Sequence, residues 1–238
     1  MKNYFLTIDT ETTMDNLVVD FGATITDSKG KIVNQTAILV HGVFLNDKHP
    51  LFFDPKNPTG IWAKNSRTKR ENIYKNEILA GTRMVASVSA INRWLVQARL
   101  TYNPILTAFN LKFDLGKMHN TGIDVTHFSR KFCLMHAAQT RWSQTKSFKT
   151  FIVENHFFNP PTKNGHMSYR NDAETYARFV LNNPNLAAEP HRALEDILGY
   201  ELPVLNKLLK SRSVKWLLTI PKAQSWRKHQ VKNHFIAK

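Results

Sequence analysis

Three β-rich runs open the chain, and they constrain its architecture more than anything that follows. Tyr4 to Thr10, Leu17 to Thr26 and Lys31 to Val40 are dense in β-branched and aromatic residues, and Asp27-Ser28-Lys29-Gly30 supplies turn chemistry between the last two. They read as a β-meander. Further along, Val85, Val88, Ile91, Leu95 and Val96 have helical spacing, predicting a helix over Val85 to Leu100 that Asn103-Pro104 breaks before a short strand, Ile105 to Phe109. Asn110 is placed to cap a helix running toward Gly122, with Phe109 and Phe113 four apart to anchor its first turn in the core. Asp172 to Leu181 and Pro190 to Leu209 read as two more helices, the second opened by its proline. Strands first and helices after predict an α/β fold, a mixed β-sheet flanked by helices.

Two basic stretches stand apart from this pattern. Residues 41 to 83 are rich in Asn, Lys, Pro and Arg, and read as an irregular basic insertion with one short helix or as a solvated surface loop. Lys210 to Lys238 is basic with Trp216 and Trp226 interleaved, so it can track a phosphate backbone or dock on the core. Val214, Trp216, Leu217, Leu218 and Ile220 are too apolar for a free tail and favour docking. The expected organisation is one domain over 1–210 that carries the insertion, with a basic extension over 211–238 docked on it.

Composition narrows the partners. With 42% apolar residues the chain can bury a core. Lys and Arg number 33 against 18 Asp and Glu, a net charge of +15, which attracts a polyanion and predicts a nucleic-acid partner. The single cysteine, Cys133, excludes an internal disulfide and a cysteine-rich zinc site. The apolar stretch before Asp9 is too short for a signal peptide or membrane span, so the expectation is a soluble, cytoplasmic protein with no membrane partner.

Against this basic background, three acidic elements carry the chemistry. In Asp9-Thr10-Glu11 the carboxylates are two apart on a strand and project on one face, inviting a cation, while Leu6 and Ile8 project on the other. Taken alone the pair is equally a polar strand end. Phe109-Asn110-Leu111-Lys112-Phe113-Asp114 carries a strand end into a helix and delivers an acid in its first turns, where by itself it would complement the helix dipole. In His191-Arg192-Ala193-Leu194-Glu195-Asp196, five steps of about 100° set His191 roughly 140° from Asp196 on a regular helix, so His191 must sit just outside it. Ala193 leaves room for close approach to the strand bearing Asp9. The ten histidines show no His-Glu-x-x-His spacing, which argues against a zinc hydrolase.

In this order the motifs resemble those of the DEDDh 3′→5′ exonucleases of the ribonuclease H-like superfamily, which includes polymerase proofreading subunits, RNase T and oligoribonuclease. Asp9 to Thr13 looks like the first motif, Asp20-Phe21-Gly22-Ala23 like the strand after it, Asn110 to Asp114 like the second and His191 to Asp196 like the third. The resemblance implies that Asp9, Glu11, Asp114 and Asp196 hold two Mg²⁺ or Mn²⁺ ions about 4 Å apart at the scissile phosphate. It makes His191 the general base and nucleoside 5′-monophosphates the products. Thr12, Thr13, Met14 and Asn110 would face the terminal nucleotide. Many members carry histidine where this chain has Phe109, which is a stacking surface or a core residue. The resemblance favours single-stranded 3′ ends, DNA ahead of RNA. An exoribonuclease of the RNase T and oligoribonuclease type and a non-catalytic nucleic-acid-binding module are the alternatives.

Overall fold

The computed structural model describes residues 2–163, 165–220 and 234–236. Its centre is a six-stranded mixed sheet in the order β4-β3-β2-β1-β5-β6, formed by β1 (Tyr4–Thr12), β2 (Val18–Asp27), β3 (Ile32–Val40), β4 (Met84–Ala86), β5 (Ile105–Ala108) and β6 (Lys131–Cys133). β2 pairs antiparallel to both β1 and β3, and the pairs β1–β5, β3–β4 and β5–β6 are parallel. The meander's tight turn forms as its residues dictate. Gly30 takes φ +84°, and Asp27 Oδ1 accepts the amides of Lys29 and Lys31 at 2.9 and 3.0 Å.

Every residue of β2 is buried, so both faces of the sheet centre are covered. On one face, Leu6, Ile8 and Leu106 pack with α2 (Val88–Tyr102) and α3 (Leu111–Thr121) through Ile91, Leu95 and Met118. On the other, Phe5 and Ile105 meet α4 (Leu134–Trp142), α5 (Lys146–Glu154), α6 (Ala173–Leu181) and α8 (Leu202–Leu209) through Leu134, Phe148, Tyr176 and Leu205. Phe148 and Tyr176 stack at 5.1 Å between centroids. Strands β7 (His166–Ser168) and β8 (His234–Ile236) make a separate antiparallel pair.

Several local expectations change. Val85 lies in β4, not in the following helix, because Met84 to Ala86 extend the sheet beside Ile38 to Val40. α2 then starts at Val88, its N-cap Ser87 accepting the Ala90 amide at 3.2 Å. The insertion is not a solvated loop. It contains α1 (Arg67–Leu79), and Arg70, Tyr74 and Arg83 are buried. Asn110 stands at the start of α3 but takes a left-handed φ of 66° with no side-chain cap, and Phe113 is 46% exposed while Leu111, Asp114 and Met118 face inward. Pro190 stays outside its helix, which begins with α7 (Ala193–Asp196) and continues through a π-helical turn over Ile197–Glu201 into α8.

Past α8, α9 (Val214–Thr219) buries Leu217 completely, with Val214, Trp216 and Ile220 against the same core. Trp226 lies outside the described residues. Among the described residues no helix is long and apolar enough to cross a membrane.

Candidate active site

The carboxyl ends of β1 and β5 open into a pocket of about 440 Å³. Seven of the chain's 18 acids line it (Asp9, Glu11, Asp114, Asp172, Glu189, Asp196 and Glu201), although the chain as a whole carries +15.

Strand alternation puts Asp9 and Glu11 on one face of β1, and the register against β2 shifts just after Glu11. Across the ladder Asp9 faces Gly22 and Glu11 faces Asp20. A Cβ on Gly22 would lie 2.5 Å from the Ala193 carbonyl carbon, so the missing side chain is what lets the first turn of α7 rest on the sheet. The close approach at Ala193 is therefore made on Gly22 of β2, the ladder partner of Asp9, and α7 also contacts β1. Two carboxylates secure that turn: Asp20 Oδ2 accepts the Ala193 amide at 3.0 Å, and Asp196 Oδ2 accepts the Arg192 amide at 3.1 Å. Both satisfy amides that a helix start leaves without partners. Asp114 arrives from α3 and accepts the Thr10 hydroxyl at 2.9 Å.

His191 sits before α7 with φ 53°, a strained conformation for a residue with a side chain. Its ring lies 4.3 Å from that of Trp62, and Nδ1 is 4.0 Å from Glu11 Oε1. Glu11, His191 and Asp196 each offer an atom suited to a metal, all within 4.8 Å of one another.

The basic insertion builds a wall of this pocket. Phe52 donates its amide to the Thr12 carbonyl and Met14 donates to that of Pro50, both at 2.9 Å, so the segment pairs with the end of β1. Phe52 and Trp62 line the pocket, Arg70 lies 4.8 Å from the Trp62 ring centroid, and its guanidinium donates to the Phe52 carbonyl. Arg83 pairs with Asp20 and Glu195 and, at 2.8 Å, with Glu77, while Arg192 also pairs with Glu77. The insertion is thereby tied to the segment bearing His191 and Asp196.

Of the residues singled out from sequence, Asp9, Glu11, Thr12, Phe109, Asn110, Asp114, His191 and Asp196 line the pocket together. Thr13 and Met14 do not belong to that lining. Thr13 donates its hydroxyl to Asp15 at 2.6 Å and accepts the Leu17 amide, and Met14 Sδ accepts the Phe53 amide at 3.3 Å. Both hold the β1 end against its surroundings. Phe52, Trp62, Glu189 and Glu201 line the pocket without having been signalled. The aromatic residues Phe52, Phe53 and Trp62 within a basic insertion were a hint of packing there, and Glu201 gave none.

Burial dominates the electrostatics. It raises Asp9 to about 7, with Asp20 adding repulsion and the Thr10 amide opposing it. Asp196 is pushed to about 9 by burial and then by Asp9 and Glu189, and Glu189 to about 8 by burial and Asp172. Glu11 and Asp114 lie well above the ordinary range, from burial first and the charge of Asp9 second. For His191, burial and then Arg70 lower the pKa to about 4, so its imidazole is neutral near pH 7. Asp196 Oδ1 and Glu201 Oε2 are buried with no hydrogen-bond partner among the described residues. Hard oxygen donors, mutual repulsion and orphaned lone pairs together fit a divalent cation such as Mg²⁺ or Mn²⁺.

No known protein-family model and no curated protein sequence matches the chain.

Proposed function

We propose that this chain is a metal-dependent 3′→5′ exonuclease of the DEDDh type on a ribonuclease H-like fold, an intracellular enzyme that releases nucleoside 5′-monophosphates from single-stranded 3′ ends, DNA ahead of RNA. The observation that carries this reading is the convergence of Asp9, Glu11, Asp114, Asp196 and His191 in one pocket of a strongly basic chain. The mixed sheet flanked by helices is compatible with the fold.

Asp9, Glu11, Asp114 and Asp196 would hold two Mg²⁺ or Mn²⁺ ions. Bound there, such ions neutralise the scissile phosphate and make water a better nucleophile. His191 is the general base. Being neutral near pH 7, it can accept a proton at Nδ1 from a water, and its 4.0 Å separation from Glu11 Oε1 is long enough for a water to bridge the two. An incoming phosphate favours the imidazolium and so raises the basicity of His191 as the substrate arrives. The hydroxide forms a bond to phosphorus, the P–O3′ bond breaks, and the strand's 3′ oxygen takes a proton from solvent. Trp62 holds the imidazole ring in place. Exposed Phe52 and Phe113, with Phe109 deeper in, offer stacking surfaces that suit an unpaired end and read no sequence.

The test is product analysis on 5′-labelled single-stranded DNA and RNA with Mn²⁺. A ladder shortening from the 3′ end is expected, fastest on DNA. Faster loss of RNA would make the protein an exoribonuclease, and intact strands that nevertheless bind would make it a non-catalytic module.

A further inference from the structure

Glu201 owes its place in the pocket to an irregularity of its helix. It follows Asp196 by five residues. On a regular α-helix that spacing turns a side chain about 140° away from Asp196. The π-helical turn over Ile197–Glu201 accommodates one extra residue, which removes about 100° and leaves roughly 40° between the two. Glu201 thereby joins Asp9, Asp114 and Asp196 in the pocket lining.

Its surroundings are unfavourable for a purely structural acid. Glu201 is 2% exposed; one oxygen, Oε1, accepts the Phe109 amide at 3.1 Å, and the other, Oε2, has no partner among the described residues. A buried carboxylate oxygen without a donor is costly, and its neighbours Asp9 and Asp114 add repulsion. Tyr200, in the same turn, donates to the carbonyls of Ala187 and Ala188 at 2.8 and 2.9 Å, which secures the approach to His191. That contact gives the turn a structural use but leaves Oε2 unexplained. A cation explains it.

We propose that Glu201 is a fifth cation ligand of this pocket, offering Oε2 to a divalent ion, while Oε1 stays on the Phe109 amide and fixes the carboxylate plane. This rests on the metal-dependent reading above. The π turn is then the local device that adds a ligand to the three motifs.

The test is calorimetric titration of the 238-residue chain with MnCl₂ alone, comparing wild type with Glu201→Gln, which keeps an acceptor for the Phe109 amide but lacks the charged ligand. Loss of one Mn²⁺ from the stoichiometry, or affinity weakened about tenfold or more, is expected. A Glu201→Gln isotherm matching wild type overturns the inference and leaves the exonuclease reading standing. Wild-type protein that takes up no Mn²⁺ overturns both. Should Glu201→Gln not fold, as judged by circular dichroism, Glu201→Asp retains the charge but withdraws it by one methylene. Weakened Mn²⁺ binding then supports ligation, and unchanged binding overturns it.

Discussion

Two groups of acids are buried side by side in this molecule, and only one is knit together by a shared arginine, Arg83. Glu11 and Asp20 face each other across the β1–β2 ladder. Asp20 pairs with buried Arg83, which also binds Glu77 and Glu195, and Arg192 closes the network on Glu77. In the pocket, by contrast, the charge of Arg70 reaches Glu11 and His191, and Arg170 pairs with half-exposed Asp172. Asp9, Asp114, Asp196 and Glu201 have amides and a threonine hydroxyl but no Lys or Arg paired with them among the described residues. Burial raises Asp20 as well, yet there Arg83 pulls it back. The difference teaches that burial of carboxylates is not itself a sign of function. A compensated group fastens elements together, whereas an uncompensated one leaves its carboxylates free for the cation proposed above.

The largest expected effect is on turnover. Asp9→Asn should lower the proposed exonuclease rate roughly 10³-fold or more, the scale of losing several kcal/mol of the stabilisation a bound metal would supply. A variant that still degraded DNA at a tenth of the wild-type rate would remove Asp9 from the site. Next comes a stability effect on the other group. Arg83→Met strands buried Asp20 and leaves Glu77 and Glu195 to Arg192 alone, and should destabilise the protein by about 3–5 kcal/mol in chemical denaturation. Unchanged stability would mean that the arginine network fastens nothing.

The same kind of change in the pocket should act with the opposite sign. In EDTA at pH 8, above the raised pKa of Asp9, Asp9→Asn removes a half-buried carboxylate with no cationic partner and should raise the melting temperature by about 3–6 °C, corresponding to about 1–2 kcal/mol. A fall instead would show that Asp9 is already satisfied without metal.

A smaller, graded effect follows from pH. Asp9 titrates at about 7 and Asp196 at about 9 in the folded, metal-free protein, against about 4 for an unfolded carboxyl. The folded state therefore binds more protons, and stability is lost as pH rises from about 4 through 9. His191, depressed to about 4, acts in the other sense, and only below about pH 6.5. Metal-free melting temperatures should decline from pH 6.5 to 9, and saturating Mg²⁺ should flatten the decline, because metal binding replaces the protons. Parallel curves with and without Mg²⁺ would break the contrast between the two groups.

How much of this could be read beforehand depends on the range over which the deciding forces act. Strand alternation is local, so the shared face of Asp9 and Glu11 was legible, as was the exclusion of His191 from the helix carrying Asp196. The meander was equally plain from its turn residues. What escaped depends on contacts distant in sequence. Val85 joined β4 because β3 offered it a partner, and Trp62 reached His191 because Arg83, Glu77 and Arg192 tie the insertion to the third motif. Glu201 escaped for a different reason: five-residue spacing denotes opposite faces unless a π turn intervenes, and no residue type marks that turn.

The central claim is that the pocket, and not the neighbouring arginine-bound group, is a divalent-cation site. Anomalous diffraction at the manganese edge from crystals soaked in MnCl₂ tests it most directly. The account predicts two peaks among Asp9, Glu11, Asp114, Asp196 and Glu201 and none beside Asp20. A pocket free of anomalous density at millimolar Mn²⁺ would contradict it.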